Sequence, residues 1–257
     1  PLTGTIKESN AGGQAAQVLA RIGYTAIIIE GVPANDDLYK IYINKDGVKI
    51  DVDNSLKLMD NYDLAEKLKA QYGDKVACMT IGSAGERKMT AASIACTDLE
   101  FRPTRHCGRG GVGAVMGSKQ IKAIILDDAG LKRRKPKDEE KFKAANKVFI
   151  EGLKKHSVTG EALPAYGTNV LANIINESGG YPTWNFKGGQ FDGVSKISGE
   201  SQAALEEKRG GLTKHECHRG CVIRCSGIFN DKDGNFVTKQ PEYETVLSLG
   251  GLCMNED

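Results

Sequence analysis

At 257 residues, with 40% hydrophobic and 26% charged residues, the chain is long enough to bury a sizeable core as one large domain or two ordinary ones. Its formal net charge of +2 provides no global field to gather nucleic acid or a membrane surface, and no apolar run approaches the roughly 20 residues of a membrane span. Small-molecule chemistry is left open, with no nucleic acid and no membrane as partner.

The 31 glycines are well above ordinary usage and imply many positions of unusual dihedral or close approach. Of the seven cysteines three are clustered, which favours metal in a reducing compartment over a secreted disulfide framework. A cytoplasmic location follows as the expectation. The chain opens at Pro1 without an initiator Met and closes on Asn255-Glu256-Asp257, which resembles a helix start; both ends read as cuts.

In chain order, Ala15, Val18, Leu19 and Ile22 recur at helical spacing, and Gly23-Tyr24 then leads into the apolar run Ala26 to Ile29. The spacing predicts a helix followed by a buried strand. Asp46-Gly47 lies between a β-type run ending at Ile43 and Val48 to Val52, a hairpin signal. Asp60 or Asn61 can cap a helix carrying Leu64, Leu68 and Tyr72, and strands are expected over Val76 to Ile81 and Ala123 to Leu126. The basic stretch Lys132 to Lys135 before Pro136 is a composition break and reads as a solvated linker. Beyond it the periods are helical, around Phe142 to Leu153, Val170 to Ile175, Ala203 to Lys208 and Val246 to Leu252, and strand signals are sparse. The expected fold class is α+β: a sheet-rich domain over residues 1–130, then a mainly α-helical domain over 131–257.

Three segments can carry chemistry. The run from Arg105 to Lys119 holds the densest glycines and two arginines. Bare backbone N–H groups and guanidinium forks suit a phosphate-bearing cofactor, while the plain alternative is a glycine-rich loop packed on a sheet. It fails as a dinucleotide fingerprint, which should follow a strand directly, and it lacks the P-loop ending. Ser9-Asn10-Ala11-Gly12-Gly13 could present amides or the Asn10 carbonyl to a ligand, although turn and cap chemistry explains it as well. Cys217, Cys221 and Cys225 place three thiols in nine residues. Soft thiolates favour an iron–sulfur cluster, with zinc as the rival because His215 and His218 could join two cysteines. Glu244, just before an apolar helical stretch, reads first as a helix-dipole partner.

Together and in this order, these pieces resemble the aldehyde:ferredoxin oxidoreductase family of tungsten- or molybdenum-pterin enzymes. The resemblance runs from Pro1-Leu2-Thr3-Gly4 through Asn10 to Gly13, Gly23 to Gly31, Ile81 to Glu86, the Gly108 to Lys119 segment, Leu163 to Thr168, Asn173 to Glu177, Asn185-Phe186, the cysteine cluster and Pro241 to Glu244. The most specific stretch is Gly108-Arg109-Gly110-Gly111-Val112-Gly113-Ala114-Val115-Met116-Gly117-Ser118-Lys119.

The resemblance implies a metal held between two pterins whose phosphates are bridged by Mg²⁺. It assigns Asn10, Gly12, Arg105 and His106 to the pterin phosphate region, and Asn10 and His106 to Mg²⁺ through backbone carbonyls. The family often has a small residue where His106 stands. Cys217, Cys221 and Cys225 correspond to three ligands of a [4Fe–4S] cluster, and Glu244 to a carboxylate near the metal that assists proton transfer. The implied reaction oxidises a small aldehyde, with water, to a carboxylic acid, electrons passing through the cluster to ferredoxin; a homodimer is one option for assembly. One departure stands out: three residues separate Cys217 from Cys221, where the family usually has two, so Cys217 is the least secure ligand. The fourth cluster cysteine, the second pterin motif and the active-site histidine are expected beyond Asp257, and the chain alone is expected to be incomplete and inactive.

Overall fold

The strand expected at Ala123 to Leu126 is the central one in the amino-terminal half of the computed structural model, which describes residues 4–256. The chain divides into two units, Pro1–Lys135 and Pro136–Asp257. The first contains helices α1 (Ala15–Ile22), α2 (Asn61–Tyr72), α3 (Ser83–Glu86) and α4 (Val112–Ser118) and strands β1 (Tyr39–Asn44), β2 (Gly47–Val52), β3 (Ala77–Thr80), β4 (Ile94–Cys96), β5 (Arg105–Cys107) and β6 (Ile121–Leu126). The strands form one sheet in the order β2-β1-β6-β3-β4-β5, with only the β1–β6 pair parallel.

All six residues of β6 are buried because both sheet faces are covered, and the pleat sends alternate side chains to opposite cores. Ile124 and Leu126 join Val18 of α1, Ile41 and Ile43 on one face, while Ala123 and Ile125 join Leu64 and Leu68 of α2 on the other. Lys122 is buried within this strand, donating to the Met59 carbonyl at 2.7 Å and pairing with Glu86. The Asp46-Gly47 hairpin forms with Ile41 opposite Ile50. Asp60 caps α2, accepting from the Tyr62 and Asp63 amides.

Two local features differ from expectation. The run Ala26 to Ile29 is not a strand, and Ile28 is 83% exposed; a β-type sequence forms a ladder only when a neighbouring edge receives it, and among the described residues none does. Conversely, β4 and β5 were not evident from pattern, being three residues each. They are joined by a turn built on buried Asp98, whose carboxylate accepts from the Glu100 and Arg102 amides and the Thr104 hydroxyl.

The second unit contains α5 (Glu139–Lys155), α6 (Leu163–Tyr166), α7 (Leu171–Glu177), α8 (Gly199–Lys208), β7 (Leu212–His215), β8 (Ser226–Asn230), β9 (Phe236–Lys239) and α9 (Tyr243–Leu249). It is mainly helical, and the α+β class holds, but β7, β8 and β9 make a three-stranded antiparallel sheet that the pattern did not reveal. Strands β7 and β9 are short and mostly half-exposed, without a buried apolar face to imprint a period of two. Helix α9 starts at Tyr243, earlier than the apolar stretch suggested, so Glu244 falls in its first turn.

Glu206 on α8 is fully buried, and among the described residues neither of its carboxyl oxygens has a hydrogen-bond partner. Burial raises its pKa to about 8. Between its ordinary value and about 8 the folded chain retains a proton that the unfolded chain releases, so its contribution falls as pH rises through that window. Glu206→Gln is expected to make the protein more stable at pH 8, by on the order of 3 kcal/mol, with little change at pH 5. Thermal unfolding of both proteins across this range checks the sign.

Candidate functional site

The two glycine-rich segments of the first unit, far apart in sequence, are neighbours in space. The Arg109 amide donates to Ser9 Oγ at 3.1 Å, and Gly110 lies so close to Lys7 that an added Cβ would come within 2.2 Å of its Cγ. Gly13 faces the end of β4: a Cβ there would approach the Thr97 carbonyl oxygen at 2.6 Å. The Gln14 amide also donates to the Thr97 carbonyl at 3.2 Å, so the chain just after Asn10 and Gly12 is held at the end of β4, the strand paired with the β5 that carries Arg105 and His106. Arg105 is buried, and His106 is exposed with Nδ1 2.9 Å from Ser93 Oγ.

Strand β5 does precede the glycines, but it is an antiparallel edge strand, so the context is not that of a dinucleotide βαβ unit. Gly110 and Gly111 both have positive φ, at 79° and 65°. Successive left-handed residues of this kind present backbone N–H groups to anions, and the adjoining arginines supply positive charge. These donors suit a phosphate-bearing group.

A thiol pair beside this neighbourhood was not singled out from sequence. Cys96 and Cys107 are diagonal neighbours across β4 and β5, and the proximity of the two thiols holds the Cys107 pKa below its ordinary value and drives that of Cys96 upward. Only the strand register reveals it.

In the second unit, Cys217, His218 and Cys221 present ligand atoms within 4.8 Å of one another, with Cys217 Sγ 3.1 Å from His218 Nδ1. The loop is pinned from within: Glu216 accepts from the Arg224 guanidinium at 2.6 Å and the Gly220 amide at 3.3 Å, and the Arg224 amide points at Cys221 Sγ at 3.4 Å. Cys225 is outside that tight trio, and burial is the first cause raising its thiol pKa, followed by the Glu242 carboxylate. Since Glu242 is the residue before α9, the thiol loop adjoins the helix start that carries exposed Glu244. His215 lies in β7 opposite Ser226 and is not part of the trio. A single ion with bonds of about 2.0–2.3 Å draws its donors close together, whereas a cluster of several irons spreads them. Three thiols with one set apart suit the cluster; the trio by itself would also suit zinc.

The chain is of mixed α and β fold, and a solved structure shares it. It covers 96% of its own length and 37% of the matched chain in the active site complex BamBC of benzoyl coenzyme A reductase with 1,5-dienoyl-CoA, with TM-score 0.67 and 23% identity, a likeness of fold alone. The chain belongs to the aldehyde ferredoxin oxidoreductase family: the model of that family's N-terminal domain matches residues 1–128, and the model of its domains 2 and 3 matches residues 144–257. It is 42% identical to the tungsten-containing aldehyde ferredoxin oxidoreductase of Pyrococcus abyssi and 41% identical to that of Pyrococcus horikoshii. Each alignment covers 97% of this chain and 39% of the relative, so the chain spans about two-fifths of their length. Among the described residues, no helix is long and apolar enough to cross a membrane.

Proposed function

We propose that this chain supplies the cofactor-gripping part of a cytoplasmic tungstopterin oxidoreductase that converts a small aldehyde and water into a carboxylic acid and passes the electrons to ferredoxin. The observation that carries the reading is the contact between the two glycine-rich segments, Arg109 amide to Ser9 Oγ at 3.1 Å, in a chain of this family. Residues 1–130 form the tungstopterin base and residues 131–257 the helical domain bearing the iron–sulfur thiols. Asn10, Gly12, Arg105 and His106 bind the pterin phosphates, with the Asn10 and His106 carbonyls turned to Mg²⁺; a backbone contact at position 106 is indifferent to the side chain. Cys217, Cys221 and Cys225 hold a [4Fe–4S] cluster.

The tungsten centre, when bound, supplies the two-electron chemistry. The chain's own residues position it, surround it with fixed charge and accept a proton. Glu244, exposed at the start of α9, is the candidate acceptor. In the full-length protein Glu244→Gln is expected to lower aldehyde-dependent turnover about 100-fold, within the usual range for loss of a general base, while tungsten and iron contents stay unchanged. Unchanged turnover removes Glu244 from the mechanism.

The enzyme reading is tested on full-length protein grown with tungstate and isolated without oxygen. Tungsten, pterin, iron and aldehyde-dependent reduction of ferredoxin support it, and absence of both pterin and iron ends it. Likeness of fold to a benzoyl coenzyme A reductase component favours a second outcome, the same scaffold acting on another substrate, which substrate profiling decides. The tight grouping of Cys217, His218 and Cys221 favours a third, a zinc-stabilised module, which would be colourless with one zinc per chain.

A further inference from the structure

The thiol loop contains one nitrogen donor whose place the cluster reading leaves unused. His218 Nδ1 lies 3.1 Å from Cys217 Sγ, and both atoms share a 4.8 Å neighbourhood with Cys221 Sγ. Adjacent residues of an extended chain turn their side chains to opposite sides, so convergence of residues 217 and 218 on one spot is a property of this tight loop. The Glu216 bridge to Arg224 and Gly220 supplies the restraint. On the other side of the loop the Arg224 amide, 3.4 Å from Cys221 Sγ, already directs an N–H toward sulfur.

We propose that His218 is a positioning and tuning residue of the iron–sulfur centre, donating its Nδ1–H to the Cys217 thiolate and so raising the reduction potential of the cluster. The inference rests on the cluster reading above and goes beyond it. A metal-bound thiolate has no proton to give, so the hydrogen bond can only run from the ring nitrogen to sulfur. Reduction adds a negative charge that delocalises onto the ligand sulfurs, and a fixed donor stabilises the reduced state more than the oxidised one. The same bond restrains Cys217, which stands one residue farther from Cys221 than the family's usual spacing places the first cysteine.

The test uses full-length protein, isolated without oxygen, as wild type, His218→Leu and His218→Asn. Iron per chain, the midpoint potential from a redox titration followed by electron paramagnetic resonance, and ¹⁴N coupling in the reduced state are read for each. All three proteins are expected to hold the same iron. The leucine variant is expected to become about tenfold harder to reduce, a fall of about 59 mV for one electron, and to lose a weak nitrogen coupling. Asparagine, which restores an N–H near the Nδ1 position, is expected to recover much of the shift. An unchanged potential in His218→Leu overturns the proposal. So does strong nitrogen coupling in wild type together with iron loss in His218→Leu, since His218 would then be a ligand itself. Wild-type protein without iron overturns the cluster reading and this inference with it, whereas iron with an unmoved potential overturns only the inference.

Discussion

Replacing Gly117 with alanine is expected to destabilise the protein by about 3 kcal/mol or more, at the upper end for overpacking, and to lower the unfolding midpoint by roughly 6–12 °C. A Cβ built at Gly117 would stand 1.9 Å from the Gly85 carbonyl oxygen, and backbone cannot swing aside as a side chain can. The neighbouring positions leave no room to retreat: a Cβ at Gly113 would meet the Ser93 carbonyl oxygen at 2.3 Å, and one at Gly85 would meet Ile81 Cβ at 2.7 Å. Helices α3 and α4 therefore touch through glycine. Moving α4 outward carries with it the Gly108 to Gly111 turn and its contact with Ser9, so tungsten content of the full-length protein should fall along with stability. Gly152 provides the contrast. It lies inside exposed α5 with nothing within 4 Å of a built Cβ, and Gly152→Ala should gain about 1 kcal/mol, the ordinary helix-propensity difference. Thermal unfolding and tungsten analysis of both variants check the pair; a harmless Gly117→Ala would remove close packing as the reason for that glycine.

Cys225→Ser is expected to strip the full-length protein of its cluster, with iron and brown absorbance falling to background and ferredoxin reduction lost. A serine hydroxyl is a hard and weakly acidic donor where the site asks for soft thiolate. Cys225 is half-buried in the neighbourhood of Glu242, so its side chain is not readily replaced by solvent. Cys253→Ser is the control. Cys253 is exposed, and its thiol points at the Ser248 carbonyl oxygen at 3.3 Å, so iron should be unchanged. Retention of full iron in Cys225→Ser would take that cysteine out of the ligand set.

Residues close together in sequence were legible without coordinates. The period of α1, the Asp46-Gly47 hairpin, the cap of α2 and the apolar run of β6 are each written in fewer than about 20 consecutive residues, and local sterics and binary pattern decide them. The glycine-rich segments, the thiol loop and the family resemblance were equally plain, because residue type and spacing are themselves the signal. The short strands β4, β5, β7 and β9 were not, since three or four residues on half-covered faces impose no period. Ala26 to Ile29 misled for the opposite reason: its residues favour a strand, but a strand is a relation to a partner that residue type does not specify.

By itself, then, the amino-acid order determined the α+β class, the family and the donors available for chemistry. Tertiary structure decided which of those donors meet: that Ser9 touches Arg109, that Cys96 lies beside Cys107, that His218 faces Cys217, and that Glu242 at the start of α9 bears on Cys225. The physical reason is that donor chemistry resides in single side chains, whereas contact between residues distant in sequence depends on how helices and strands pack, a property of the whole chain.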